Sequence, residues 1–133
     1  MPRKRAVLKS PWGRILFSPD GKTLAVASRE SNRTEQSIQL WDLNGGQPAE
    51  KAILPDIVGW NTPLAFSPDS KRLIAVNADR TVLTVWSIAT GQQERTWRMP
   101  AEVKAVVFAI DSRHLAVGNR NGTVYLLRLP GPN

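Results

Sequence analysis

A chain of 133 residues with 41% hydrophobic and 22% charged residues has the size and balance expected of one soluble globular domain, and none of its runs approaches the roughly 20 apolar residues that cross a bilayer. It contains no Cys and one His, which removes disulfides, thiolate chemistry and any histidine-based metal cluster within one chain. The formal charge of +7 sits at the two ends: eight basic against four acidic groups over residues 1–46, four against four over 47–91, and six against three over 92–133.

Arg3, Lys4 and Arg5 open the chain as a short basic cluster with no secretory-type apolar run behind it, so a cytoplasmic protein is expected. Such a tip can approach nucleic acid or an anionic surface, but its plain reading is a solvated terminus. Strands are expected near 5–9, 13–17, 22–28 and 37–43, then 48–54, 62–66, 71–77 and 81–88, then 92–98, 103–108, 113–118 and 122–129. Each is a short run rich in Val, Ile, Leu or Trp, bounded by Pro-Asp-Gly, Pro-Asp-Ser, Ala-Thr-Gly or Asn-Gly. Residues 28–36 are too polar for a strand and read as an inserted loop.

In Ser18-Pro19-Asp20-Gly21 the proline fixes φ, the aspartate bonds nearby backbone and the glycine accepts positive φ, which predicts a hairpin. Leu24–Ala27 and Leu73–Val76 are apolar at successive positions, which predicts strands covered on both faces and sheets stacked on sheets.

The elements recur. Phe17-Ser18-Pro19-Asp20 returns as Phe66-Ser67-Pro68-Asp69 and, more faintly, as Phe108-Ala109-Ile110-Asp111, at offsets of 49 and 42 residues. Ile38-Gln39-Leu40-Trp41-Asp42-Leu43 returns as Leu83-Thr84-Val85-Trp86-Ser87-Ile88 and as Val124-Tyr125-Leu126-Leu127-Arg128-Leu129, at offsets of 45 and 41. With the Trp41-Asp42 dipeptide, its counterparts Trp86-Ser87 and Leu127-Arg128, and Asn121-Gly122-Thr123-Val124, the sequence resembles a WD-repeat β-propeller over residues 5–129, in units of about 5–43, 48–88 and 92–129. The resemblance implies an all-β fold of three four-stranded blades. It also implies a departure: the Gly-His pair that usually opens a repeat is missing from all three units, so the family's hydrogen-bonded His, Asp, Ser and Trp network is not expected to form.

Propellers close with typically four to eight blades, so three leave an apolar sheet face open at each end. Two copies give six, and the expectation is a homodimeric ring in which Arg5, Ala6, Val7, Leu8 and Lys9 of each chain complete the other's third blade beside Val124 and Leu126. The rival is a piece whose missing blades come from a different chain.

Catalysis has thin support. His114 holds a variable position after a hairpin and reads as a surface residue, and Ser18 and Ser67 read as turn residues. Asp20, Asp69 and Asp111 occupy equivalent turns expected to stand far apart, which defeats a two-carboxylate mechanism. Gly45-Gly46 and Gly91 precede no helix, so no phosphate loop is present. No metal or cofactor is expected. Trp41 and Trp86 read as core, and Trp97 as packing between blades or over an edge. Trp12 and Trp60 sit in loops that resemble those of the family's ligand face. Arg29, Arg33, Asp79, Arg80, Arg120 and Asn121, with Glu30, complete that rim. A noncatalytic scaffold for a peptide or protein partner is the reading this favours. Nucleic acid or another anionic ligand is the alternative, and no membrane partner is expected.

Overall fold

The structure, a computed structural model, describes residues 13–28, 36–45, 47–58, 64–77 and 79–129. Every regular element among them is a strand. β1 (Gly13–Phe17), β2 (Thr23–Ser28), β3 (Gln36–Asp42) and β4 (Ala49–Val58) form one antiparallel sheet in chain order. β5 (Leu64–Phe66), β6 (Arg72–Val76), β7 (Val82–Ser87) and β8 (Gln93–Arg98) form a second. β9 (Val103–Phe108), β10 (His114–Asn119) and β11 (Val124–Arg128) form the third, which has three strands among the described residues.

Sheet and sequence repeat are offset by one strand. The segment that opens the second repeat becomes β4, the outermost strand of the first sheet, and the segment that opens the third becomes β8, the outermost strand of the second. The strand expected at 5–9 lies outside the described residues.

Strand alternation turns contiguous apolar runs into two separate cores. From β6, Leu73 and Ala75 join Ala25, Ile38, Leu40, Leu54, Phe66 and Trp86 between the first and second sheets. Ile74 and Val76 point the other way and join Leu83, Val85, Val103, Leu115, Val117 and Leu129 between the second and third. The middle sheet is therefore buried on both faces, as the Leu73–Val76 run predicts. Each buried Leu, Ile or Val contributes about 1.5–3 kcal/mol, so the stack is held by apolar burial at two junctions.

The first turn of each sheet is built from its own side chains. Gly21 lies at φ 72°, and its N–H donates to Ser18 O at 2.9 Å. Ser18 Oγ donates to Asp20 Oδ1 at 2.6 Å and accepts from the Thr23 N–H at 3.0 Å. Ser67 repeats this with Asp69 and the Arg72 N–H. In the third sheet Ala109 has no hydroxyl, and Asp111 Oδ1 takes over, accepting from the N–H groups of Arg113 (2.9 Å) and His114 (3.1 Å).

Candidate interaction surfaces

Four surfaces can meet a partner: the two outer sheet faces, the rim at the ends of β6 and β10, and the opposite edge that carries the first turns.

The outer faces follow from register. Ile15 and Phe17 lie across from Val26 and Leu24, and Ile53 from Gln39, all of opposite parity to Ala25, Ala27, Ile38 and Leu40, which face the second sheet. Val107 and Leu126 flank Ala116, and Val124 pairs with Gly118, opposite to Leu115 and Val117. These six side chains are between 56% and 79% exposed. The apolar faces expected at both ends of a three-blade arc are therefore present at these positions. Val124 and Leu126, read from sequence as closure residues, lie on one of them.

At the rim, the β6–β7 and β10–β11 connections share one design. The Arg80 N–H donates to Asn77 O and the Gly122 N–H to Asn119 O, both at 3.0 Å. Asn77 Oδ1 accepts from the N–H groups of Thr81 and Val82. Asn121 Oδ1 accepts from the Thr123 N–H and hydroxyl. Arg80 and Gly122 both have positive φ, 65° and 87°. The two turns are tied to one dipeptide: the Val103 N–H donates to Arg80 O and the Arg120 N–H to Glu102 O, at 2.6 and 2.7 Å.

So Asp79, Arg80, Arg120 and Asn121 come together in one loop cluster. Arg120 is answered there by Glu102, 3.2 Å away, which makes the rim less basic than the sequence suggests. Trp12, Arg29, Arg33 and Trp60, and the strand residues Arg5, Ala6, Val7, Leu8 and Lys9, lie outside the described residues. Trp97 is half-buried against the second core, with the Arg95 guanidinium 5.1 Å from its ring centroid.

On the opposite edge the structure corrects an expectation. The turns of Asp20, Asp69 and Asp111 do not stand apart as independent features. The Asp20 N–H donates to Ser70 Oγ at 3.0 Å, and the Asp69 N–H to Ser112 Oγ at 2.9 Å. Consecutive turns are thereby latched together because the sheets stack closely enough for one turn to reach the next. Asp20 is held below the usual carboxylate range by the Ser18 hydroxyl and then by the Lys22 N–H. Asp111 is held down to about 2, first by the Arg113 N–H and then by the His114 ring, whose Nδ1 lies 2.7 Å from Asp111 Oδ2. Among the described residues no group of three or more His, Asp or Glu side chains is placed to hold a metal, and no helix is long and apolar enough to cross a membrane.

No protein-family model matches the chain. It is 26% identical over 121 residues to the 66 kDa stress protein of Physarum polycephalum, a match covering 90% of this chain and 19% of that protein. It is 26% identical over 100 residues to apoptotic protease-activating factor 1 of Mus musculus, covering 69% of this chain and 8% of the relative. Among solved structures, the β-propeller domain of Cps50 (Swd1) from Myceliophteria thermophila aligns with a TM-score of 0.69 at 18% identity, over 96% of this chain and 38% of that one. The fold is that of a β-propeller.

The three sheets are thus consecutive propeller blades. Trp41 Nε1 and Trp86 Nε1 are buried and find no hydrogen-bond partner among the described residues. Trp86 is core as expected, whereas Trp41 is half-buried.

Sequence reasoning missed Glu102 at the rim and the serines of the latch. One sequence signal for the latter was available. Ser70 and Ser112 stand where the first blade has Gly21, at φ 64° and 59°, a conformation that glycine adopts freely and serine does not.

Proposed function

We propose that the chain is a noncatalytic protein-interaction scaffold, three consecutive blades of a WD-repeat ring completed by blades outside these residues. The observation that carries this reading is the pair of outer sheet faces, exposed at Ile15, Phe17 and Ile53 on one side and at Val107, Val124 and Leu126 on the other. Contiguous apolar patches of this kind mark interaction sites. The similarity to a propeller domain of which the chain spans 38% supports the same view.

A second copy is the simplest source of further blades, giving six, with residues 5–9 of each chain lent to the edge of the other's β11, which has no further strand beside it among the described residues. The assembled rim, with Trp12, Arg29, Arg33, Trp60, Asp79, Arg80, Arg120 and Asn121, would present loops to a peptide or protein. The pairing of Arg120 with Glu102 weighs against nucleic acid as the main partner.

Light scattering over a concentration series tests the reading. The expected result is association above the 14.7 kDa chain mass, lost in the double variant Val107→Lys, Leu126→Lys. Deleting residues 1–9 weakens that association if those residues are the lent strand. A chain that stays single at high concentration and binds no apolar dye would overturn the proposal.

A further inference from the structure

The latch between first turns has a direction. The earlier blade gives a backbone N–H and the later blade gives a serine hydroxyl: Asp20 to Ser70, then Asp69 to Ser112. Both serines are nearly buried, at 9% and 5% exposure. Both also hold the left-handed backbone conformation that any L side chain other than Asn or Asp resists. Glycine would occupy these corners without strain, as Gly21 does in the first blade. What serine adds is the acceptor that the neighbouring turn uses, so its presence at both internal junctions follows the latch.

At the two ends of the arc this pattern is asymmetric. The third blade has the donor: the Asp111 N–H, in the turn between β9 and β10, has no acceptor among the described residues. The first blade lacks the acceptor, since Gly21 has no hydroxyl. A second copy docking head to tail would bring Gly21 to Asp111 and leave the latch unmade.

Resting on the ring reading above, we infer that the third blade's outer face is best fitted by a propeller blade with serine at the left-handed corner of its first turn, so that the first blade of a second copy docks there only weakly. The occupant is a four-stranded antiparallel sheet with one apolar face, matching the way the second blade covers the first and the third covers the second. Apolar burial gives such an interface its strength, and the Asp111-to-serine bond fixes which blade fits and in what register.

The test restores the missing hydroxyl in this chain. A Cβ built at Gly21 meets nothing within 4 Å, and the same corner already accepts serine in the other two blades, so Gly21→Ser folds. Self-association of wild type and Gly21→Ser is compared by sedimentation, with amide exchange read at Asp20, Asp69 and Asp111.

The expected result is that Gly21→Ser tightens association by about three- to tenfold, the worth of one net hydrogen bond, and slows exchange at Asp111. In wild type, Asp111 exchanges faster than Asp20 and Asp69. As an internal check, Ser70→Gly speeds exchange at Asp20 alone.

A tight wild-type dimer with a protected Asp111 amide overturns the inference. So does a Gly21→Ser variant that associates no better than wild type, or a Ser70→Gly variant in which Asp20 exchange is unchanged. Failure of the ring reading itself has a different signature, association that Val107→Lys with Leu126→Lys leaves untouched.

Discussion

Across the junction of the second and third blades, the Asp69 backbone N–H reaches Ser112 Oγ at 2.9 Å while Ser112 itself sits at φ 59°. The latch and the strain occupy the same residue, and two substitutions separate them. Ser112→Ala keeps the left-handed backbone and loses the acceptor, with an expected cost of about 1 kcal/mol. Ser112→Gly loses the acceptor too but removes a penalty of roughly 1–2 kcal/mol, so it is expected to lie near wild type. Equilibrium urea unfolding distinguishes them, and equal destabilisation of both variants would show that the corner is unstrained.

Trp86 combines 4% exposure with an Nε1–H that has no partner among the described residues. An unsatisfied buried donor costs about 1–3 kcal/mol. Trp86→Phe removes it while giving up part of the ring's burial, a loss of similar size, and the two nearly cancel. Stability within about 1 kcal/mol of wild type is expected, against a loss of about 2–5 kcal/mol for Leu73→Ala, the cross-strand neighbour that has no such offset. Thermal unfolding of the two variants checks this: comparable losses would mean that the indole N–H is satisfied in solution.

Strand positions and hairpin turns were legible because local chemistry dictates them. Pro19, Asp20 and Gly21 make a turn whatever surrounds them, and the uninterrupted run from Leu73 to Val76 can be satisfied only between two sheets. β4 was read too short. It continues to Val58 through Pro55 and Asp56, a pair that reads as a turn, because it is an outermost strand and its pairing is already irregular opposite Gln36 and Ile38. The latch and the Arg120–Glu102 pair were not legible, since both depend on how far one sheet is offset along its neighbour. No periodicity within a strand reports that offset. At the rim, the sequence supplied the loop residues but not the shared anchor at Glu102 and Val103.

Asp111 gives the fold an acid-sensitive point. Its carboxyl is held at about 2, below the ordinary value of 3.8, so the charged form favours the folded chain. That contribution is complete above about pH 4 and is lost as pH falls through about 2. Asp111→Asn removes the titrating group, and its stability is expected to fall less steeply than wild type across that window. Asp20, also depressed, keeps some slope in both proteins. Urea unfolding at a series of acidic pH values measures the difference, and parallel curves would rule out Asp111 as a contributor.

Arg80 occupies at φ 65° the corner that the third blade fills with Gly122 at 87°. Left-handed backbone costs a non-glycine residue roughly 1–2 kcal/mol, whereas introducing glycine costs about 0.4–1 kcal/mol through the unfolded chain. The first term is larger, so Arg80→Gly is expected to stabilise the fold by about 0.5–1 kcal/mol, while Arg80→Ala, which keeps the strain, leaves it unchanged. Both variants delete the same rim cation. If Arg80 meets a partner, the two lose affinity alike while differing in stability, which separates a contact from a folding effect. Urea unfolding gives the first comparison. If glycine proves no more stable than alanine at this position, no strain is stored there.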